Sequence, residues 1–268
     1  MDTQSSTARS PVIWITGASS GIGKALLQFY AEHHPDWQLI ASARNLDTVK
    51  KELSQFNNIS YIPIDVCDET TLASAQQAIQ QRFHYLSHVI VNAGICEYSD
   101  DIPFDMHSLN KVMEVNFYGS VNTINAAIPL LKASPIQRQV IGINSQVVFA
   151  PFARAEFYGA SKAAFDYFLK SLRIDLSKHQ IDVKTIYPGF VKTPLTDKNT
   201  FDMPFIVPVD KAARLIAKAI DSKKQRYIFP KSLHCLLWLH HLMPKTWQKM
   251  SLKDQEKSAS TSKLKPEL

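Results

Sequence analysis

The chain has 268 residues, 45% hydrophobic and 20% charged, with a formal net charge of +6, the profile of a soluble domain with a large core. No run approaches the ~20 apolar residues that span a bilayer, and no dense Lys/Arg block or zinc-finger spacing points to nucleic acid. Cys67, Cys96 and Cys235 are too widely spaced for a metal or redox pair, and the polar start, Met1 to Ser10, lacks an apolar targeting segment, so a reducing, cytoplasmic setting is expected.

Apolar runs alternate with helical patterns, the signature of an α/β protein with a parallel sheet covered on both faces. Val12 to Ile15 reads as the first strand, followed by a Gly-rich turn and a helix to about His34. Leu39 to Ala41 is the second strand and Leu46 to Phe56 a helix. Tyr61 to Ile64 is the third strand, with Asp68 capping a helix that runs through Phe83. His88 to Val91 is the fourth strand. Long helices are expected over Ser108 to Leu131 and Glu156 to Lys178, around a strand from Gln139 to Ile143. Val183 to Tyr187 forms the sixth strand, Pro208 to Asp221 a helix and Tyr227 to Phe229 a short last strand. No linker or repeat divides the chain, so a single domain is expected over 1–248, with a flexible polar tail over 249–268.

The turn Thr16-Gly17-Ala18-Ser19-Ser20-Gly21-Ile22-Gly23 lies between a strand and a helix. Glycine there permits close backbone approach, and the helix N-terminus offers unpaired N–H groups to a pyrophosphate; Thr16, Ser19 and Ser20 can add hydroxyls. The second strand ends in Ser42-Ala43-Arg44, without the acidic residue that receives a ribose 2′-OH. Arg44, assisted by Ser42, can fork onto a 2′-phosphate, which favours NADP(H) over NAD. Asp65 with Val66, and Asn92-Ala93-Gly94, follow the third and fourth strands, the edge at which open sheets hold ligands.

Ser145 follows the fifth strand, and Tyr158 and Lys162 share one helix face. A carbonyl that accepts hydride must also accept a proton. Tyr158 can supply it, Lys162 can favour the phenolate, and Ser145 can orient the substrate oxygen. Taken singly, each has a plain alternative: a packing tyrosine, a solvated lysine and a turn cap.

With these residues in place, the chain resembles the classical short-chain dehydrogenase/reductase family over roughly residues 11–230. The resemblance is carried by TGASSGIG at Thr16 to Gly23, NAG at Asn92 to Gly94, Asn116, Ser145, YGASK at Tyr158 to Lys162 and PGFVKT at Pro188 to Thr193. It implies a Rossmann-like doubly wound sheet of strand order 3-2-1-4-5-6-7. It also implies an Asn116-Ser145-Tyr158-Lys162 tetrad, with Lys162 on the nicotinamide ribose, and a homodimer or homotetramer paired through the helices beginning near Ser108 and Glu156. By the same resemblance Pro188, Gly189, Val191 and Thr193 lie beside the nicotinamide and residues 190–205 form a substrate lid. Read from the residues alone, Asn116 is a polar interruption that can kink its helix. Gln146 departs from the family pattern, where a small hydroxyl residue is common.

Phe201, Met203, Pro204 and Phe205 suggest an apolar lid, and Ile95, Val147, Phe149 and Phe152 an apolar pocket. Leu233 to Met243 is more apolar than an exposed helix needs, yet spans only ~16 Å as a helix. It can cover the substrate pocket or a subunit interface, cover the core, or rest on a membrane through 233–249, where Trp238, Trp247, Lys245 and Lys249 suit an interface. His234, His240 and His241 lack accompanying acidic or cysteine ligands, so no metal is expected. The expected function is NADPH-dependent reduction of a small or moderately hydrophobic ketone or aldehyde, reversible with the alcohol. The alternative is a nucleotide-responsive binding or scaffold protein with little turnover.

Overall fold

The computed structural model describes residues 10–99, 102–199 and 201–252. Seven strands, β1 (Val12–Thr16), β2 (Gln38–Ser42), β3 (Ile59–Tyr61), β4 (His88–Val91), β5 (Arg138–Ile143), β6 (Ile181–Pro188) and β7 (Arg226–Phe229), form one sheet. Its order is β3-β2-β1-β4-β5-β6-β7, with every pair parallel. The helices are α1 (Gly21–His33), α2 (Asp47–Glu52), α3 (Glu69–Phe83), α4 (Met106–Met113), α5 (Gly119–Lys132), α6 (Glu156–Ser177), α7 (Val209–Asp221) and α8 (Lys231–Leu242). A π-helical turn over Glu114–Tyr118 joins α4 to α5.

Side-chain alternation along the strands divides the core in two. Ile13 and Ile15 of β1 pack with Leu26 and Leu27 of α1 and Ile216 and Ile220 of α7. Val12 and Trp14 pack the other way, with Ile79 of α3, Leu130 of α5 and Phe165 of α6. Both faces are thus sealed by helices, which leaves the strand ends as the accessible edge for a ligand.

Three boundaries differ from the sequence reading. The third strand pairs over Ile59–Tyr61, because Pro63 breaks the ladder, although the Ile62 and Ile64 N–H groups still reach Ala41 O and Ala43 O at 3.0 and 3.2 Å. The helix expected over Leu46 to Phe56 shortens to α2. The long helix starts at Met106, capped by Asp105 accepting from His107 and Ser108 N–H, and changes winding around Asn116. Asp68 caps α3 by accepting from Thr70 N–H. Residues 244–252 form a further helical segment, which takes in the first four residues of the expected tail; residues 253–268 lie outside the described residues, as do 1–9.

His88 and Lys184 are buried polar groups inside this sheet. Lys184 reaches over the end of α7, donating to the carbonyls of Ala219, Ile220 and Ser222, as suits a cation at a helix C-terminus. Burial, reinforced by the Lys184 ammonium, pushes the His88 imidazole from 6.5 down to about 4. The folded protein therefore holds His88 neutral while the unfolded chain binds a proton, so stability is complete above about pH 6.5 and is lost as pH falls towards 4. Urea unfolding across that interval should show a loss of roughly 3 kcal/mol from this group, and His88→Gln should remove that component. An unchanged pH slope in the variant would contradict a buried neutral imidazole.

Candidate active site

The C-terminal ends of β1 to β6 border a cleft of about 700 Å³, a size suited to a cofactor. Its floor is the turn after β1. Gly17 has φ +65°, and a Cβ there would stand 2.8 Å from Ala93 Cα and 2.9 Å from Asn92 Nδ2. A Cβ on Gly23 would collide with the Gly17 carbonyl and the Asn92 amide. The turn is therefore nested against the end of β4, and Asn92 binds it there, with Nδ2 donating to Thr16 O at 3.0 Å and Gly17 O at 3.2 Å.

Thr16 takes a different place from the one its sequence position suggested. Its side chain is buried, accepting from Asn92 N–H at 3.1 Å and Ala93 N–H at 3.3 Å and donating to Ile90 O at 3.4 Å. Thr16 and Gly23 hold the turn from behind, while Gly17, Ser19, Ser20, Gly21 and Ile22 form the wall. Ser20 makes no side-chain capping bond to α1, whose first turn carries no acidic residue. The uncapped helix start thus offers N–H donors to an anion, and the residues present fit a pyrophosphate.

Farther along the cleft lie Ser42, Arg44, Asp65 and Val66, then Ala93 and Gly94. Ser42 Oγ accepts the Trp14 Nε1–H at 2.9 Å, which leaves its proton to donate. Arg44 is exposed on the rim and makes no ion pair among the described residues. Asp65 Oδ1 accepts Cys67 N–H at 3.0 Å, and the Cys67 thiol also hydrogen-bonds the Asp65 carboxylate. Pro188, Gly189, Val191 and Thr193 close the opposite wall.

Asn116 does not touch the cleft. The π turn carries it into the interior, where it is fully buried. Its Oδ1 accepts Ile95 N–H at 2.8 Å, and its Nδ2 donates to Ile95 O at 2.9 Å and Ser161 Oγ at 3.0 Å. Its own carbonyl accepts from the Ser120 hydroxyl at 2.8 Å. Asn116 thus joins the segment after β4 to α6.

Ser145 caps the short 3₁₀ turn Gln146–Phe149, its oxygen accepting Val147 N–H at 3.1 Å. The sequence reading offered cap or substrate contact, and the geometry permits both, since the oxygen accepts from Val147 while the hydroxyl is directed to Tyr158 at the mouth of the pocket. Lys162 is 5% exposed, and its ammonium donates to Ile143 O at 3.1 Å, 5.9 Å from the Tyr158 ring centre. Burial pushes Lys162 down to about 8, against the opposing influence of Cys96. Burial and then Cys96 push the Tyr158 phenol up, and the Ser145 hydrogen bond only partly offsets them. Among the influences on Tyr158 burial prevails, so these side chains hold it protonated, as a proton donor.

A second, smaller pocket of about 150 Å³ opens beside Tyr158 and shares Ser145, Tyr158, Gly189, Leu195 and Thr196 with the cleft. Val147, Phe152, Phe190, Phe201, Leu233 and Leu237 make it largely apolar. Val147 and Phe152 were expected there, whereas Ile95 lines the larger cleft and Phe149 packs behind, against Tyr187 and His234. Of the expected lid residues, Phe201 faces the pocket. Met203 Sδ accepts from Asn199 Nδ2 at 3.1 Å, and Phe205 is exposed. The Tyr98 hydroxyl donates to Asn199 Oδ1 at 2.5 Å, and its ring meets Phe201 edge-on at 5.9 Å, so the segment after β4 is tied to the 190–205 segment. The Gln146 amide is buried at the pocket wall, with Nε2 donating to Phe229 O at 2.8 Å and Pro230 O at 3.1 Å.

Sequence reasoning missed Cys96, Tyr98 and Arg154 as pocket residues, while Asn199, also at the pocket, lies within the 190–205 segment expected there. Only the position of Cys96, two residues beyond Gly94, offered a signal. Of the readings left open for the C-terminal segment, the one seen is a cover: Leu233 and Leu237 of α8 close over the pocket. Among the described residues no cluster of histidine, cysteine or acidic groups could hold a metal.

A family model described as short chain dehydrogenase matches residues 11–203. The chain is 31% identical to a fatty acyl-CoA reductase of Acinetobacter baylyi, over 81% of this chain and 75% of that one. A short chain dehydrogenase from Burkholderia cenocepacia, solved in complex with NADP, superposes with a TM-score of 0.77 at 21% identity, covering 91% of this chain and 98% of its own. One from Burkholderia phymatum in complex with NAD gives a TM-score of 0.79 at 17% identity, covering 89% and 95%.

The bonds made by Asn116 predict a measurable cost. Asn116→Ala leaves the Ile95 N–H and C=O without partners in the interior, at roughly 1–3 kcal/mol for each unsatisfied group. Denaturant unfolding should show a loss of about 3 kcal/mol, within that range, together with weaker nucleotide binding because Ile95 lines the cleft. A variant as stable as the parent would contradict the role of this amide.

Proposed function

The chain belongs to the short-chain dehydrogenase family, and on that premise we propose that it uses NADPH to reduce a moderately hydrophobic ketone or aldehyde, reversibly with the alcohol. The observation that carries the reading is the junction of the two cavities at Ser145, Tyr158 and Gly189. It brings a nucleotide-sized cleft and an apolar pocket together beside a phenol that burial keeps protonated. Gly17, Ser19, Ser20, Gly21 and Ile22 would hold the pyrophosphate and Arg44 the 2′-phosphate, where a fork of N–H donors meets no competing carboxylate. Both an NADP-bound and an NAD-bound structure share this fold, so the choice of cofactor rests on Arg44. The apolar pocket wall carries the substrate class, and a relative named for fatty acyl-CoA reduction accords with it.

Reduced nicotinamide supplies the hydride when bound. Ser145, its oxygen engaged by Val147 N–H, donates a hydrogen bond to the substrate oxygen, keeping its own proton, and turns that oxygen towards Tyr158. Tyr158 gives its phenolic proton to the same oxygen as negative charge develops there. Lys162, fixed on the Ile143 carbonyl, stabilises the phenolate that remains. Alcohol oxidation runs through the same groups with the proton moving back to Tyr158. Exposed Tyr118, Tyr167 and Ile174 lie on or beside the helices through which a homodimer or homotetramer would pair.

A panel of aliphatic and aromatic carbonyls assayed with NADPH and with NADH tests the proposal directly. Turnover with NADPH on apolar members is expected; tight NADPH binding without turnover on any member would instead support a binding protein. Tyr158→Phe should lower turnover by about 10²–10⁴-fold while NADPH binding, read by fluorescence, persists; full activity would reject the assigned role. Arg44→Asp should reduce the preference for NADPH over NADH by roughly 10- to 100-fold, and an unaltered preference would remove the 2′-phosphate contact.

A further inference from the structure

Helix α8 is apolar on both of its sides. Leu233 and Leu237 face inward and are buried at the pocket wall. At 100° per residue the opposite side carries Cys235, Trp238 and Leu242, with Leu239 at its edge. Trp238 is 54% and Leu242 60% exposed, at the positions where a surface helix would present charge. Met243 at the end of α8, and Met250 and Leu252 in residues 244–252, are exposed as well. Trp247 pins that segment to the body by donating Nε1–H to Pro151 O at 2.6 Å and meeting the Phe152 ring edge-on at 5.6 Å. Lys245 and Lys249, one turn apart, project from the side opposite Trp247 and are exposed.

We propose that α8 and residues 244–252 form a docking face for an anionic lipid surface, so that an apolar substrate enters the pocket from the bilayer. Trp238, Leu239, Leu242 and Met243 would enter the headgroup–acyl boundary, and Lys245 and Lys249 would meet the phosphates. The lysines decide between occupants, since the centre of a protein–protein interface is depleted of lysine whereas a lipid surface attracts it. The location of the pocket supplies the second argument. Its wall includes Leu233 and Leu237 on the inner side of the same helix and Ser251 on the segment that follows, so the apolar surface and the apolar cavity are two sides of one layer. No described helix is long and apolar enough to cross a membrane, which makes the contact interfacial.

The test is flotation of the purified full chain with phosphatidylcholine vesicles, with and without phosphatidylglycerol. Binding to the anionic vesicles, weakened by salt, is expected. Trp238→Ser with Leu242→Ser should lower partitioning about tenfold or more, and Lys245→Gln or Lys249→Gln about fivefold each. The Trp238/Leu242 pair should keep the parent melting temperature and NADPH affinity, which shows that the fold and the nucleotide cleft survive. Absence of binding to either vesicle, or binding unaffected by these variants, would overturn the proposal. So would a smaller oligomer in the Trp238/Leu242 variant, because a second copy of the chain would then occupy the face. Flotation reads partitioning and not turnover, so its result is separable from that of the proposed reduction.

Discussion

Asn116 is the point on which the two halves of the site depend. The π turn at Glu114–Tyr118 rotates its amide inward, and three hydrogen bonds join Ile95 to Ser161 through that one side chain. Ile95 continues the strand end that lines the nucleotide cleft, and Ser161 lies next to Lys162 on α6. Gly94 lies in the same layer, since a Cβ there would stand 3.2 Å from Asn116 Oδ1 and 3.7 Å from Lys162 Nζ. The position of Lys162 relative to the cleft floor is therefore set by a buried amide that touches neither ligand cavity.

The other end of the cleft follows a similar logic. Thr16 and Asn92 use their side chains on one another's backbone, which frees the turn after β1 from supporting itself. That turn can then offer donors to a phosphate. Hydrogen-bonding capacity is divided between residues that hold the shape and residues that leave donors facing the cleft. Ser145 belongs to both groups, because a hydroxyl can accept from Val147 and still donate. Burial does the corresponding work at Tyr158 and Lys162, raising one pKa and lowering the other, so each group bears its less charged form more readily than in water.

The alternation of apolar strands and helical patterns made the fold legible, because strands buried on both faces must be apolar throughout. β4 and α3 lie where hydrophobic pattern and capping put them. Tyr61 to Ile64 misled because Pro63 interrupts pairing without interrupting hydrophobicity. Gly17, Ser145, Tyr158 and Lys162 were legible from residue type and order, whereas the inward turn of Thr16 depends on which face of β1 it occupies. The π turn left no local signal beyond a polar residue in a helical pattern. The apolar excess of residues 233–243 allowed a pocket cover, which Leu233 and Leu237 provide, whereas Cys96, Tyr98 and Arg154 reach the pocket from separate segments without a pattern of their own. Only tertiary packing brings them together, and no spacing within the sequence encodes it.

A crystal structure with NADP⁺ bound tests the central claim, that one cleft delivers a phosphorylated dinucleotide to the Ser145–Tyr158 junction. The pyrophosphate is expected at Gly17 to Ile22, the 2′-phosphate on Arg44, and the nicotinamide between Tyr158 and Gly189 at the opening of the apolar pocket. A nicotinamide held away from Tyr158, or a 2′-phosphate that leaves Arg44 without contact, would contradict it.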